Sequence, residues 1–466
     1  MWPKKKLFWL DFGVLCFYAT AVLVAVAYHE PWADEAQAWM IARDLPFGKM
    51  LFSEMHYEVS PGLWDSILWF AQHVFHAPYA AMNYIGAAFA IAGAAVLIFL
   101  APFPRIVRYL MATSYYISYQ YAVVARPYVL LLLCGGLAAV FYRRRQIVPL
   151  AIALAVMSLI SIHGAILAGA LAVGAAFRAR ANWGSFSSGQ RKLYLVALAI
   201  VLISFAMVLV IAYPARDIIA VNDLEEGSLG KVIRTLPDVI IGPWPLAAIL
   251  LFALVGFVVW RKQVFPCVLS LGGLLVFQTF FYGAPHHEGT IVIAMIVLLW
   301  ISWPEADEAT PRLFVPISVI ALCFIFAIQT GWAVIAWRHE IANPYSGAQE
   351  TARFLRAVGA DQGLIEGFRY PSVAIQPYFN HNIFENWSTS YVHHSRNVEP
   401  LLGKLERGFA PPEYIIVPSE NGDVDQNQKR LATKGYLPVH VSPGRILFKD
   451  DVWITETFTI YRRVQK

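Results

Sequence analysis

Charge is scarce in this sequence: 14% of its 466 residues are Asp, Glu, Lys or Arg, where a soluble domain carries roughly 25%. With 58% hydrophobic residues and a mean hydropathy of +0.54, that deficit excludes an ordinary soluble enzyme and predicts a polytopic membrane protein. Cysteine is scarce too. Cys16, Cys134, Cys267 and Cys323 all fall inside apolar segments, with neither a disulfide framework nor a zinc spacing, and read as small buried hydrophobes. There is no glycine-rich nucleotide-binding loop in the C-terminal residues, and no internal repeat of the kind transporters use. The net charge of +5 is spread over connections between apolar runs, so it does not point to nucleic acid. The N-terminal apolar run is too long for a signal core and lacks a small-residue cleavage site. A retained first helix is expected.

What is abundant is apolar sequence in lengths that suit a bilayer, about 20 residues per span. The expected spans are 7–28, 80–100, 106–123, 127–142, 146–162, 164–177, 193–213, 238–260, 264–283, 289–303 and 312–337. Segment 62–76 carries Asp65, Gln72, His73 and His76 and reads as a helix lying in the interface. Lys4–Lys6, Arg105, Arg143–Arg145, Arg178 to Lys192, Arg261–Lys262 and Arg312 occupy alternate connections. The positive-inside rule makes those connections cytoplasmic. The expectation is about eleven transmembrane helices in the plasma (inner) membrane, N-terminus cytoplasmic, with 29–79, 214–237 and 284–288 outside.

After residue 337 the apolar character ends. Residues 338–466 mix apolar patches with polar residues and predict a small extracytoplasmic α/β domain. A helix is expected in SGAQETARFLRAV and strands in PEYIIVPS, YLPVHV, GRILFK and VWITETFTIYRR.

The sequence is organised around its first outer loop, 29–79, which concentrates Glu30, Asp34, Glu35, Asp44, Glu54 and Glu58 with His29 and His56. Asp34-Glu35 opens a short helical pattern. Neighbours on a helix diverge by about 100°, so one acid can meet a substrate while the other orients a neighbour. A plainer reading is that acids after Pro31 favour the positive helix end, worth about 0.3–1 kcal/mol. Glu58 precedes a Pro61-Gly62 turn that would hold it at the membrane surface. Arg126, at the outer end of two spans, suits bidentate phosphate binding. Tyr128 follows it in the same turn. His163 interrupts apolar sequence and implies a polar cavity. His286, His287 and Glu288 form a polar cluster at another outer helix mouth, with no recognised metal spacing.

This pattern resembles the GT-C superfamily of membrane glycosyltransferases, which includes protein O-mannosyltransferases and the aminoarabinose and galacturonic-acid transferases acting on lipid A. The likeness rests on Asp34-Glu35, on Glu58 in YEVSPGLW, on ARPYVLLLL and on HHEGTIVIAM, and covers roughly residues 1–340. Where relatives often read acid-x-His-Pro-Pro, this chain has Val59-Ser60-Pro61-Gly62 after Glu58. The resemblance implies an inverting transfer from a polyprenyl-phosphate sugar, reached from the lipid bilayer, to an extracytoplasmic acceptor (lipid, glycan or protein). It implies Asp34 as the base, assisted by Glu35, and Arg126, with Tyr128 and His163, at the donor phosphate. It also implies a divalent cation held by Glu58 with His56 or His286. The rival from another class is a transporter or lipid flippase.

Overall fold

The computed structural model describes residues 4–218, 242, 244–281, 283–305, 308, 313–360, 363–394, 411–419 and 424–464. The expected outer connection 214–237 lies outside the described residues from 219 onward, and the expected span 238–260 is described from Trp244. The molecule is a multi-pass membrane protein, mostly helical, with a small C-terminal sheet domain.

Among the described residues, six helices are long and apolar enough to cross a membrane: Leu7–Tyr28, Ala81–Leu100, Ile162–Ser185, Ser188–Ile211, Pro285–Ser302 and Phe314–Ala342. Four shorter apolar helices join them: Val129–Arg143, Ile147–Ser158, Ile249–Trp260 and Val264–Phe280. Together they account for every expected span except 106–123. The segment expected at 164–177 is the longer helix Ile162–Asn182, started by Ser161, whose hydroxyl accepts from the Gly164 amide at 3.1 Å. An oxygen acceptor at that position satisfies one of the orphan amides of the first turn.

Segment 106–123 corrects the expectation. Its helix stops at Thr113, Ser114 is extended, and Tyr116–Gln120 forms a single wide turn with every residue buried. The cause is the hydroxyl-rich run TSYYISYQY. Ser118 donates to the carbonyls of Thr113 and Ser114 at 3.0 and 2.9 Å. Tyr116 reaches Glu288 at 3.0 Å and Tyr119 reaches Glu340 at 2.6 Å. Irregular backbone at membrane depth is tolerated where protein, not lipid, surrounds it.

The connections sort onto two faces. On one, Arg105 donates to Asp11 at 3.1 Å, Arg143 to the Trp300 carbonyl at 3.0 Å, and Arg261 to the Ser302 carbonyl at 2.8 Å and to Glu308. The basic connections therefore stand together. On the other face lie the first loop, the turns at 124–128 and 159–163, and the sheet domain. The segment expected to lie in the interface is the helix Leu63–His73. At about 1.5 Å per residue it is too short to cross.

The last bundle helix runs on to Ala342, beyond the expected boundary at 337. The sheet domain follows, with strands β1 (Ile365–Gly367), β2 (Tyr414–Ser419), β3 (Tyr436–Ser442), β4 (Ile446–Phe448), β5 (Asp451–Ile454) and β6 (Thr457–Arg463). Four pair in the order β1-β2-β6-β3, parallel only between β1 and β2, and β4-β5 form a separate antiparallel pair. The run VWITETFTIYRR, expected as one strand, is two, with Thr455-Glu456 between them. One continuous apolar core runs from the bundle helices into this domain through Ile365, Ile375, Phe384 and Phe458. The domain is therefore seated on the bundle rather than tethered to it.

Candidate active site

The loop helix Ala33–Asp44 delivers both central carboxylates. It ends at Leu45 because Pro46 follows, and a residue before proline avoids helical backbone. Its first turn is capped from two directions. Glu35 reaches back to the Trp32 amide at 3.3 Å, and Glu456, from the sheet domain, accepts from the Ala33 amide at 2.9 Å. Burial pushes Glu456 up to about 8, and the nearby Asp34 and Glu35 add to the rise.

The two acids of the pair point into different environments. Glu35 is fully buried and accepts from the Ala125 amide at 2.6 Å, from Asn83 at 2.7 Å and from His29 at 2.9 Å. The other nitrogen of His29 meets Glu340 at 2.9 Å. Burial alone would lower His29, but Glu35 and Glu340 outweigh it and raise the imidazole to about 10. The ring is an imidazolium bridging two carboxylates, and it ties the loop to the last bundle helix.

Asp34 faces a cavity of about 420 Å³. Arg126 pairs with its Oδ2, and the Tyr370 hydroxyl donates to its Oδ1 at 2.8 Å. Burial would raise the Asp34 carboxyl, yet Arg126 above all, then His286 and Tyr370, hold it below the usual carboxylate range. It is ionised at neutral pH. The Arg126-Pro127-Tyr128 turn that opens helix Val129–Arg143 presents both the guanidinium and the Tyr128 ring, 6.0 Å apart, to the same cavity.

Glu58 also lines the cavity, held by Gln37 at 2.9 Å and facing His394 at 3.8 Å. The neighbouring Glu54 meets His393 at 2.9 Å. Gln37 in turn donates to the Val392 carbonyl at 2.6 Å and accepts from its amide at 2.9 Å. Residues 392–394 of the sheet domain thus clasp the loop helix and the turn that carries Glu58.

Asp34, Glu58, Arg126, Tyr128 and His163 share the walls of one cavity; Glu35, His56, His286, His287 and Glu288 are not among them. His286 packs behind Trp32 and against His287, with ring centroids 6.0 and 4.2 Å away. His287 in turn stands 4.9 Å from His163. Glu288 receives Tyr116 at 3.0 Å and Lys449 at 3.1 Å, so it is a strut to the sheet domain. The ring nitrogens of His56 meet the carbonyls of Tyr213 and Phe52 at 2.6 and 3.1 Å. The three residues offered for a cation therefore do not converge. Among the described residues no group of three His, Cys, Asp or Glu side chains could hold a metal ion.

Sequence reasoning missed Tyr370, His394, Gln37, Glu340 and Glu456. A lone acid at the end of the last long apolar run could have flagged Glu340. Asn83, alone among apolar neighbours, carried a similar signal. Tyr370 and Glu456 sit in a soluble-looking domain, and nothing around them in sequence marks them.

No family model matches the sequence, and no curated protein matches it. The fold does match. ArnT from Cupriavidus metallidurans bound to undecaprenyl phosphate superimposes with a TM-score of 0.58 at 13% identity, over 99% of each chain. ArnT from the same organism in the apo state gives 0.57 at 14% identity, over 97% of this chain and 98% of that one. From its first membrane helix to its sheet domain, this chain has an ArnT-like fold.

Proposed function

We propose that this protein transfers a sugar from a polyprenyl phosphate to an acceptor on the outer side of the membrane, with inversion at the anomeric carbon. One observation carries the reading: an ionised carboxylate, Asp34, stands beside a guanidinium, Arg126, in a cavity that also has an apolar wall including Phe277 and Phe281. That undecaprenyl phosphate binds a protein of the same fold supports the donor class. Asp34 takes the proton of the acceptor hydroxyl as its oxygen attacks the anomeric carbon. The bond from that carbon to the phosphate oxygen breaks, and polyprenyl phosphate leaves. A guanidinium carries five donors in a planar fork, so Arg126 can hold the base and neutralise the leaving phosphate in turn. Tyr370 fixes the orientation of Asp34 from the sheet domain. Such a base contributes about 10²–10⁴-fold.

The role of Arg126 predicts that Arg126→Lys, which keeps the charge and loses the fork, lowers kcat/KM for the lipid donor by about tenfold or more. The protein should still fold, as its melting curve will report. Unchanged donor KM and kcat in both Arg126→Lys and Arg126→Ala would remove the residue from the phosphate site.

The site requires the first loop and the sheet domain on the outer side. Reporter fusions after Arg145 and after Lys262 should therefore read as cytoplasmic, and a fusion at the C-terminus as extracytoplasmic. A cytoplasmic C-terminus would contradict an acceptor delivered from outside.

A further inference from the structure

The cavity has a second polar wall that the transfer chemistry leaves unused. Asp65 lines it and is 6% exposed. Among the described residues its carboxylate has no side-chain hydrogen bond, only one to its own backbone, with Glu58 and Arg126 as its charged neighbours. Its neighbour Trp64 is 1% exposed, lines the same cavity, and has an indole N–H with no acceptor. On another helix that lines the cavity, Nε2 of His163, 3% exposed, has no partner either. Buried polar atoms without partners are costly, and natural proteins leave few of them. Two such atoms, together with a buried carboxylate held only by its own backbone, on the walls of one cavity point to a ligand that completes them.

The local backbone is built to hold this wall. Gly62 sits at φ +78°, a backbone conformation that strains any side-chain-bearing residue, so glycine suits the turn. The interfacial helix starts there, with Trp64 and Asp65 in its first turn. The Leu63 amide donates to the Leu159 carbonyl at 3.2 Å, which ties this turn to the connection leading to His163.

The walls differ in what they accept. An anionic phosphate belongs at Arg126, because Asp65 and Glu58 repel it. A polyprenyl chain fits the apolar wall of Phe277 and Phe281. A neutral group rich in hydroxyls fits the remaining wall: a carboxylate accepts from two O–H groups and an indole N–H donates to a third oxygen. We infer that Asp65 and Trp64 form the sub-site that recognises the transferred sugar of the donor proposed above, and so set which sugar is used. A site built to hydrogen-bond hydroxyls rejects analogues that lack them far better than an apolar pocket can.

The test measures binding of two kinds of probe to the full-length protein in lipid nanodiscs. One is undecaprenyl phosphate alone; the other is undecaprenyl phosphate carrying glucose, mannose or arabinose. Wild type should bind at least one glycosylated probe tenfold or more tighter than the bare phosphate. Asp65→Asn should abolish most of that preference without weakening binding of the bare phosphate, and Trp64→Phe should reduce it severalfold. Asp65→Asn keeps shape and removes a buried charge, so its melting temperature should not fall. An undiminished preference in Asp65→Asn would overturn the inference while leaving the donor reading intact. Wild type that binds none of the probes would overturn the donor reading itself, and the sub-site with it.

Discussion

An Asp34→Asn variant should fold, reach the membrane and bind the lipid donor, yet turn over roughly 10²-fold or more slowly than wild type. Asn has the shape of Asp and can still accept from Tyr370, but it takes no proton at neutral pH. The loss is confined to a step that exists only in the transition state, so kcat falls while donor affinity stays. The plainer role for this acid, capping the helix, predicts the opposite, because Asn caps as well as Asp. The structure weighs against that role: the amides of Trp32 and Ala33, where the helix begins, are met by Glu35 and Glu456, and Asp34 is turned to the cavity. Near-normal turnover in Asp34→Asn at saturating donor and acceptor would remove Asp34 from the mechanism.

The neighbouring acid should behave in the reverse manner. Glu35→Ala should cost about 3–5 kcal/mol of stability, the range for breaking a buried pair by removing one partner. It strips acceptors from Asn83, from the Ala125 amide and from one side of a buried imidazolium. The same hub predicts a pH dependence. His29 is raised from 6.5 to about 10, so its charge contributes fully below about pH 6.5. That contribution is lost as pH rises through about 10. Melting temperature should fall across that alkaline window, and His29→Gln should flatten this part of the curve. Glu35→Ala with wild-type thermal stability, or His29→Gln with an unchanged alkaline profile, would show that the hub does not hold the loop.

The contrast between these two acids was half legible in the sequence. Their adjacency and helical periodicity say that they must diverge, and their place after the first membrane helix says on which face. Which acid turns to the cavity depends on Arg126, 92 residues away, and on Tyr370, 336 residues away. No local pattern encodes contacts of that range. The membrane segments were readable because burial in lipid needs long apolar runs. Segment 106–123 was misread because side-chain hydroxyls that satisfy a broken backbone look, by composition, like a continuing span. The sheet domain was legible as a fold element and silent about its role. Glu456 falls between β5 and β6 within what reads as one strand, and that interruption lets it reach the loop helix.

The most direct test of the account is to incubate the purified protein in lipid with labelled polyprenyl-phosphate sugars and follow the label. The prediction is that one such donor loses its sugar and releases polyprenyl phosphate, and that Asp34→Asn does so roughly 10²-fold more slowly. Donors that all remain intact, or that cross the bilayer unchanged as a flippase would carry them, would contradict it.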